Sequence, residues 1–390
     1  MIALGGRWSW PLLVSTIVLA AGIGSGWRLL ERIGFILIAL LAVCLIATLV
    51  AAIALSAEGT PMSSIATAGE MLLVTYTIRN RGFWPVAWTL LRPQGPSALP
   101  VEGQLISLSW RAERRLDVAL PCPQRGKWIA GGSKLHTGDP FGFFERVRAR
   151  QGRTVVTVYP RPVPLPNLQV LPMIGRNIGP RGAPSPQPAA SVREVRPYRS
   201  GDMPSRIHWL STARLDTLMV KEPEGEPAAH VWLILDLQSG VHYGQDEGDS
   251  VELLVGAAAY LAHLHLPSRI ATGLLIVGPG TAIKPDSRRG QMHRILEALA
   301  TAEPMPGSVE HSLRALRFPL AAQRGTVVVL TPWADTRWTD TLPLLAQAGN
   351  AVICLLLDTP SSGRGDILDA QADQLRREGV AAYRHTSWAY

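Results

Sequence analysis

The sequence predicts three structural regions in series: a pair of apolar N-terminal transmembrane helices, an all-β sandwich, and an α/β domain built on a parallel sheet. Three observations predict this. Two long uncharged apolar runs lie within the first 56 residues. Short alternating runs broken by turn residues fill residues 57–161. From His230 onward, continuously apolar runs of strand length alternate with runs of helical period.

Trp10–Gly26 is apolar and uncharged and is flanked by Trp8 and Trp27, and Ile33–Leu55 is a second uncharged run of 23 residues. A helix needs about 20 such residues to cross a bilayer. Only Arg28-Leu29-Leu30-Glu31-Arg32 separates the runs. Residues 1–56 are therefore expected to form a hairpin in the lipid bilayer, with spans about 10–27 and 33–55. A cleaved signal peptide fits less well, because a second long span follows at once and the start lacks a strongly basic segment. Arg28 and Arg32 in the loop outnumber Arg7 on the N-terminal flank, which also carries the α-amine, by one side chain, and this tilts the loop inward and the soluble part outward.

Residues 57–161 read as an immunoglobulin-like β-sandwich. Its expected strands are Met71–Ile78, Ala87–Leu91, Gln104–Trp110, Arg115–Leu120 and Thr154–Val158, separated by turn signals such as Arg81-Gly82 and Gly131-Gly132. It carries no catalytic constellation, so a structural or adhesive role is expected. Residues 162–190 are rich in proline and glycine and read as an extended linker.

Residues 191–222 form a dense segment of charged, aromatic and small side chains that leads into the α/β domain, residues 223–390. Expected strands there are His230–Asp236, Ile270–Val277, Thr326–Leu330 and Ala351–Leu357. Expected helices are Asp249–Leu264, Gly290–Ala300, Ser308–Leu316, Thr339–Gln347 and Ile367–Glu378. In a parallel α/β sheet, ligands gather beyond the carboxyl ends of the strands. Asp236, Asp335 and Asp358 are placed there.

The net charge of +8 comes mostly from scattered arginines, without zinc-finger spacing or an aromatic-interleaved basic helix, so nucleic acid is not expected as a partner. Three cysteines, Cys44, Cys122 and Cys354, with no CxxC, leave neither a disulfide framework nor a cysteine metal site. There is no HExxH, phosphate loop or GxSxG elbow. Within residues 191–222, Asp202 can cap a helix starting near Pro204, with Ile207, Leu210 and Ala213 on one face toward the domain. Tyr198 and Trp209 can stack on arginines.

Asp236 opens the run Asp236-Leu237-Gln238-Ser239-Gly240. This resembles the first-strand loop of a von Willebrand factor type A domain, a Rossmann-like fold in which Asp-x-Ser-x-Ser helps hold a divalent metal. Here Gln238 and Gly240 stand at the two serine positions, and Asp335 matches the later aspartate, with Thr331 nearby. The resemblance implies a degraded metal site of Asp236, Gln238 and Asp335, with no cofactor expected and Mg²⁺ as the alternative. On the residues alone, Asp236 simply caps the following loop.

A wider resemblance covers nearly the whole chain. Arg193-Glu194-Val195-Arg196-Pro197-Tyr198, Gly201-Asp202, Arg206-Ile207-His208-Trp209, Ala213-Arg214 and Val220-Lys221-Glu222 resemble the signature of the bacterial "domain of unknown function 58" family. Gln124-Arg125-Gly126, Asp139-Pro140-Phe141-Gly142-Phe143-Phe144 and Val158-Tyr159-Pro160 resemble a second segment of that family. The resemblance implies a non-enzymatic adaptor or assembly factor in the bacterial plasma membrane. Its implied partners are a MoxR-type AAA+ ATPase and a membrane transglutaminase-like protein, with the soluble part on the cytoplasmic side. The signature then acts as an arginine/carboxylate latch onto the α/β domain or as a partner surface. The competing reading is a divalent-metal-dependent hydrolase or ligand-binding domain using Asp236, Asp335 and Asp358.

Overall fold

The apolar N-terminal runs form two antiparallel helices, α1 (Ser9–Ser25) and α2 (Arg28–Ala54). α1 stops at Gly26, whose N–H donates to the Gly22 carbonyl. The two helices approach closely at Gly34, where a Cβ would lie 2.7 Å from Leu19 Cα. α2 has the length and hydropathy to cross a membrane. α1, with 17 residues, is shorter than the expected span. Its length is about 25 Å at 1.5 Å per residue, against roughly 30 Å of hydrocarbon.

The computed structural model describes residues 8–95, 101–165, 192–198, 207–223, 230–243, 248–277, 280–309, 311, 325–333, 341–347, 350–359 and 362–386. It divides into two compact units, Met1–Tyr159 and Pro160–Tyr390.

In the first unit α2 runs directly into β1 (Leu55–Pro61), with Leu55 already extended. Nine more strands follow: β2 (Ile65–Thr67), β3 (Met71–Asn80), β4 (Val86–Gln94), β5 (Gln104–Leu108), β6 (Glu113–Pro121), β7 (Gly126–Ala130), β8 (Gly132–Gly138), β9 (Glu145–Arg150) and β10 (Thr154–Tyr159). They form three sheets, ordered β1-β3-β6, β2-β10-β7 and β5-β4-β8-β9. The alternation in β3 sets its inward face, because Leu72, Val74, Tyr76 and Ile78 are buried while Met71 and Leu73 are exposed. These residues join Leu91, Leu120, Val156 and others in one core shared by the three sheets. Each fully buried side chain of this size contributes about 1.5–3 kcal/mol. Sequence patterning misses β1, β2, β7, β8 and β9 because they are short or charged. Glu145-Arg146-Val147-Arg148-Ala149-Arg150 on β9 is an edge strand whose charges blunt further pairing.

Four hydrogen bonds organise the loop after β8. The buried Asp139 carboxylate accepts from the Phe144 N–H through Oδ1 at 2.6 Å and from the Phe141 N–H through Oδ2 at 3.0 Å. The Asp139 carbonyl accepts from Trp88 Nε1 at 2.8 Å and from the Gly142 N–H at 3.1 Å. The loop thereby turns Phe144 onto Leu41 and Cys44 of α2.

The second unit begins with a packed segment. Val163 and Leu165 are buried, and the Val163 N–H donates to the Gly256 carbonyl at 3.0 Å. The start of the expected linker is therefore fixed against the unit. Residues 166–190 lie outside the described residues.

β11 (Val192–Pro197) pairs antiparallel with β12 (Met219–Pro223), and α3 (Trp209–Leu215) lies between them in sequence. A six-stranded sheet follows, ordered β15-β14-β13-β16-β17-β18. Its strands are β13 (His230–Asp236), β14 (Ala271–Val277), β15 (Thr281–Asp286), β16 (Thr326–Thr331), β17 (Ala351–Asp358) and β18 (Ala381–Thr386). The helices are α4 (Gly248–His265), α5 (Gln291–Ala300), α6 (Thr341–Gln347) and α7 (Gly365–Arg377).

The sheet is mixed, which corrects the expected all-parallel arrangement: β15 pairs antiparallel with β14, and the other pairs are parallel. β15 lies at the edge of the sheet, where Lys284 and Pro285 are suited. The central strands are buried along their whole length, as their unbroken apolar runs require. The expected helix Ser308–Leu316 falls mostly outside the described residues.

Candidate functional site at the strand ends

The parallel strands of the second unit all end on one side of the sheet, and several polar side chains converge there. Asp236 closes β13 and is buried. Its Oδ1 accepts from the Gln238 N–H at 3.1 Å, which caps the outgoing loop. Its Oδ2 lies 2.8 Å from Thr331 Oγ1, at the end of the adjacent β16. Thr331 Oγ1 also lies 2.7 Å from the Trp333 carbonyl and accepts from the Trp333 N–H at 3.1 Å.

A threonine hydroxyl has one proton, so it cannot donate to both oxygens. The two oxygens are alternative acceptors of that proton while Asp236 is ionised; in acid, a protonated Asp236 donates its own O–H to Thr331 and leaves the Thr331 proton to the Trp333 carbonyl. Burial pushes the Asp236 carboxyl up to about 6, against the hydrogen bonds from Thr331 and Gln238, which lower it. Burial also pushes Cys354 up to about 12, with the Asp236 charge adding to the effect.

Two strands away, the buried Asp358 ends β17. Its Oδ1 accepts from Tyr243 Oη at 2.8 Å, and Arg384 Nη2 of β18 lies 3.4 Å from its Oδ2. Arg384 Nη1 donates to Asp369 Oδ2 at 2.8 Å. Tyr243 Oη accepts from the Thr359 N–H at 3.0 Å. Burial, reinforced by Asp358, pushes the phenol up to about 12. The Arg364 guanidinium stands 4.7 Å from the centroid of the Tyr243 ring and 5.5 Å from that of Trp333.

A divalent metal such as Mg²⁺ needs about six oxygen ligands. The described residues bring together one carboxylate and one hydroxyl at Asp236, already bonded to each other. No group of three His, Cys, Asp or Glu side chains suited to a metal occurs among them. Gln238 contributes its backbone, which bridges to Met305. Asp358 is engaged by Tyr243 and Arg384. These residues by themselves do not fit a metal; Asp335 lies outside the described residues.

Among the described residues, two serine–histidine contacts occur. His242 Nδ1 is 3.2 Å from Ser250 Oγ, but Ser250 is fully buried and accepts the Tyr243 N–H, so the pair braces the loop that carries Tyr243. His208 Nδ1 and Ser211 Oγ, at 2.7 Å, close the start of α3.

The signature segment is arranged differently from its expected form. Arg193 and Glu194 lie on β11 and Lys221 on β12, with Val195 opposite Lys221 and Glu194 opposite Glu222. The two ends of the motif are thus brought together as neighbouring strands. The Tyr198 N–H donates to the Leu218 carbonyl at 2.7 Å. Ile207 pairs with Val220 in an extended bridge, and the helix begins only at Trp209. The expected inward face Ile207–Leu210–Ala213 does not form, because Ile207 precedes the helix. No residue of the seven-residue α3 is buried, Leu210 and Trp209 included, and Arg214 is exposed. Among the described residues the arginines stack on Tyr243, Trp333 and Tyr383 rather than on Tyr198 or Trp209. Gly201, Asp202 and Arg206 lie outside the described residues. In the first unit, Arg125 and Gly126 lead into β7, and Asp139, Pro140, Phe141 and Gly142 form the loop tied by Asp139.

Sequence reasoning finds Asp236 and Asp358 but misses Tyr243, Arg364 and Arg384. The pairing of Thr331 with Asp236 was legible, since both end neighbouring parallel strands. Tyr243 and Arg364 come from loops whose path the strand pattern does not fix.

A mixed α/β unit with a polar network across its strand ends is therefore the class of structure in hand. Residues 194–377 match the family described as "Protein of unknown function DUF58". "Uncharacterized protein Rv1480" of Mycobacterium tuberculosis (strain ATCC 25618 / H37Rv) is 26% identical over 207 residues, covering 50% of this chain and 65% of the relative. The chain thus spans a little under two thirds of that relative's length. "Uncharacterized protein YeaD" of Bacillus subtilis (strain 168) is 24% identical over 302 residues, 74% of this chain and 72% of the relative. Among solved structures, a β-glucosidase from Listeria innocua aligns with 27% of this chain and 16% of its own at 17% identity and a TM-score of 0.17, a likeness too slight to carry any argument.

Proposed function

We propose that this chain is a membrane-anchored, non-enzymatic adaptor or assembly factor that acts through protein–protein contacts. Both apolar helices hold it in a bacterial plasma membrane, α1 completing its span with the interfacial residues around it. An immunoglobulin-like sandwich and a von Willebrand factor A-like domain make up its soluble part, facing the cytoplasm. The partner we propose is a MoxR-type AAA+ ATPase, with a membrane transglutaminase-like protein in the same assembly and no nucleic acid. The β11–β12 hairpin with α3 serves as latch or partner surface.

One observation carries the non-enzymatic reading. The carboxylates at the strand ends, where an α/β enzyme would present reactive groups, are engaged internally: Asp236 with Gln238 and Thr331, Asp358 with Tyr243 and Arg384. The exposed apolar residues of α3, Trp209, Leu210 and Leu215, support a contact role for the signature segment. The metal-dependent alternative, through Asp236 and Asp335 with Mg²⁺, has less support from the described donors.

The partner is tested by reconstituting the full chain in vesicles with a purified MoxR-type ATPase and measuring flotation of the ATPase with and without ATP. Co-flotation lost in a Trp209→Asp, Leu210→Asp double variant is expected. No co-flotation in either nucleotide state contradicts the partner.

A further inference from the structure

We propose that one face of the first unit's β-sheets is itself seated in the bilayer, with Phe83, Trp84, Phe141 and Phe143 immersed at the lipid interface. This rests on the membrane anchoring proposed above and extends it from the helices to the strands.

The length of the helices leads to it. Phe144 packs on Leu41 and Cys44, halfway along α2, and Trp84 lines a groove with Val43, Ile46 and Val50. The β-strands therefore flank α2 from about Leu41 to its end at Ala54. The Gly82 and Arg81 turn meets Ala54, the Arg81 N–H donating to the Ala54 carbonyl at 2.9 Å. Arg148 Nη1 caps the same end through the Ala52 carbonyl at 3.1 Å. Only Arg28–Leu40 extends beyond the strands, about 20 Å at 1.5 Å per residue. The hydrocarbon core is about 30 Å thick. The missing ~10 Å must come from the part of α2 that the strands flank.

Its outward face meets that need. Val43, Ile46 and Ile53 are all exposed, so the apolar surface of α2 continues beside the strands to the helix end. The adjoining loops are aromatic and exposed as well. Phe83 is 80% exposed, Trp84 56% and Phe141 62%. Phe141 stacks on Phe143 with centroids 5.7 Å apart, and Phe143 lines a groove of about 300 Å³ with Trp10, Pro11, Leu37 and Leu41. Aromatic rings at the depth of the headgroups are the usual anchors of a membrane protein. Asp139 holds Phe141 and Phe144 in place through its two carboxylate oxygens. The Asp-Pro-Phe-Gly stretch is thus a device for presenting rings to lipid, and the occupant of this face is the acyl and headgroup boundary of the bilayer.

The test uses the full chain in vesicles of phosphatidylethanolamine and phosphatidylglycerol. The three native cysteines are buried, so nitroxide labels go to introduced ones: Phe83→Cys, Phe141→Cys, Ile36→Cys on the exposed side of α2, and Glu378→Cys as a water reference. Collision with oxygen and with a water-soluble nickel chelate is measured at each position. The expected oxygen-to-nickel ratio at 83 and 141 is severalfold above that at 378 and approaches that at 36. A lipid-like 36 with water-like 83 and 141 overturns the inference and leaves the helical anchor standing. A water-like 36 overturns the anchor, and this inference with it. Shielding of 83 and 141 from both reagents assigns the face to a protein partner or a second copy, which also overturns it.

Discussion

At the residue scale, Asp236 decides how the strand ends are understood. Its carboxyl titrates near 6 in the folded chain against an ordinary 3.8. Between those values the folded protein holds a proton that the unfolded chain has released. Its contribution to stability is therefore full below about 3.8, declines as pH rises to about 6, and is absent above. Asp236→Asn keeps an acceptor for Gln238 and gains a donor for Thr331. The variant is expected to match the parent near pH 4 and to exceed it at pH 7.5 by up to about 3 kcal/mol, read from urea unfolding. A variant less stable at pH 7.5 contradicts the neutral-cap account.

His265 acts in the opposite sense. It is buried, no hydrogen-bond partner for either ring nitrogen is found among the described residues, and burial lowers it to about 4 from 6.5. Its contribution is present above 6.5 and lost as pH falls through about 4. The two slopes oppose each other, so Asp236→Asn should also steepen the acid loss of stability below pH 6. Thr331→Val strips the partner from both Asp236 and the Trp333 carbonyl, and a cost of about 2–3 kcal/mol is expected in the same assay.

At the scale of elements, the segment from Pro160 to Leu165 shows why local sequence misleads. Pro160-Arg161-Pro162-Val163-Pro164-Leu165 has the composition of a linker, yet Val163 and Leu165 are buried. Its docking depends on Gly256 of α4, where a Cβ would lie 2.5 Å from Val163 Cγ2 and 2.9 Å from the Arg161 carbonyl. Gly256→Val should release the segment. Hydrogen–deuterium exchange of the Val163 amide, which donates to the Gly256 carbonyl, is expected to accelerate at least tenfold, a shift that about 1.4 kcal/mol of lost docking would produce. Unchanged exchange would mean the segment is held elsewhere.

The elements legible in the sequence were those with a strong pattern: the two apolar helices, β3, and the unbroken runs of β13, β14, β16 and β17. Edge strands were not. β9 and β18 are charged or polar because edges face water, so they lack the alternation that marks a half-buried strand. The β11–β12 hairpin was hidden for another reason. Its strands lie 21 residues apart, between Pro197 and Met219, and only the fold shows that Val195 faces Lys221.

At the scale of the whole molecule, the apolar N-terminal helices and the parallel strands of the α/β unit were readable because long apolar runs carry them, whereas the strand-end network was only half readable. Asp236, Thr331 and Asp358 are fixed by strand ends, but Tyr243, Arg364 and Arg384 reach them through loops and an edge strand. The proposed anchoring by α2 implies that the full chain stays in the membrane pellet after washing with alkaline carbonate, which removes proteins held by charge alone. Release into the supernatant contradicts an integral anchor. The carboxylates at the strand ends are engaged internally rather than held open for a metal, and titration calorimetry of the full chain with Mg²⁺ and Mn²⁺ at pH 7.5 is the sharpest test of that arrangement. No submillimolar binding is expected, in the parent or in Asp236→Asn. Submillimolar binding that Asp236→Ala abolishes would contradict it and establish a metal site at the end of β13.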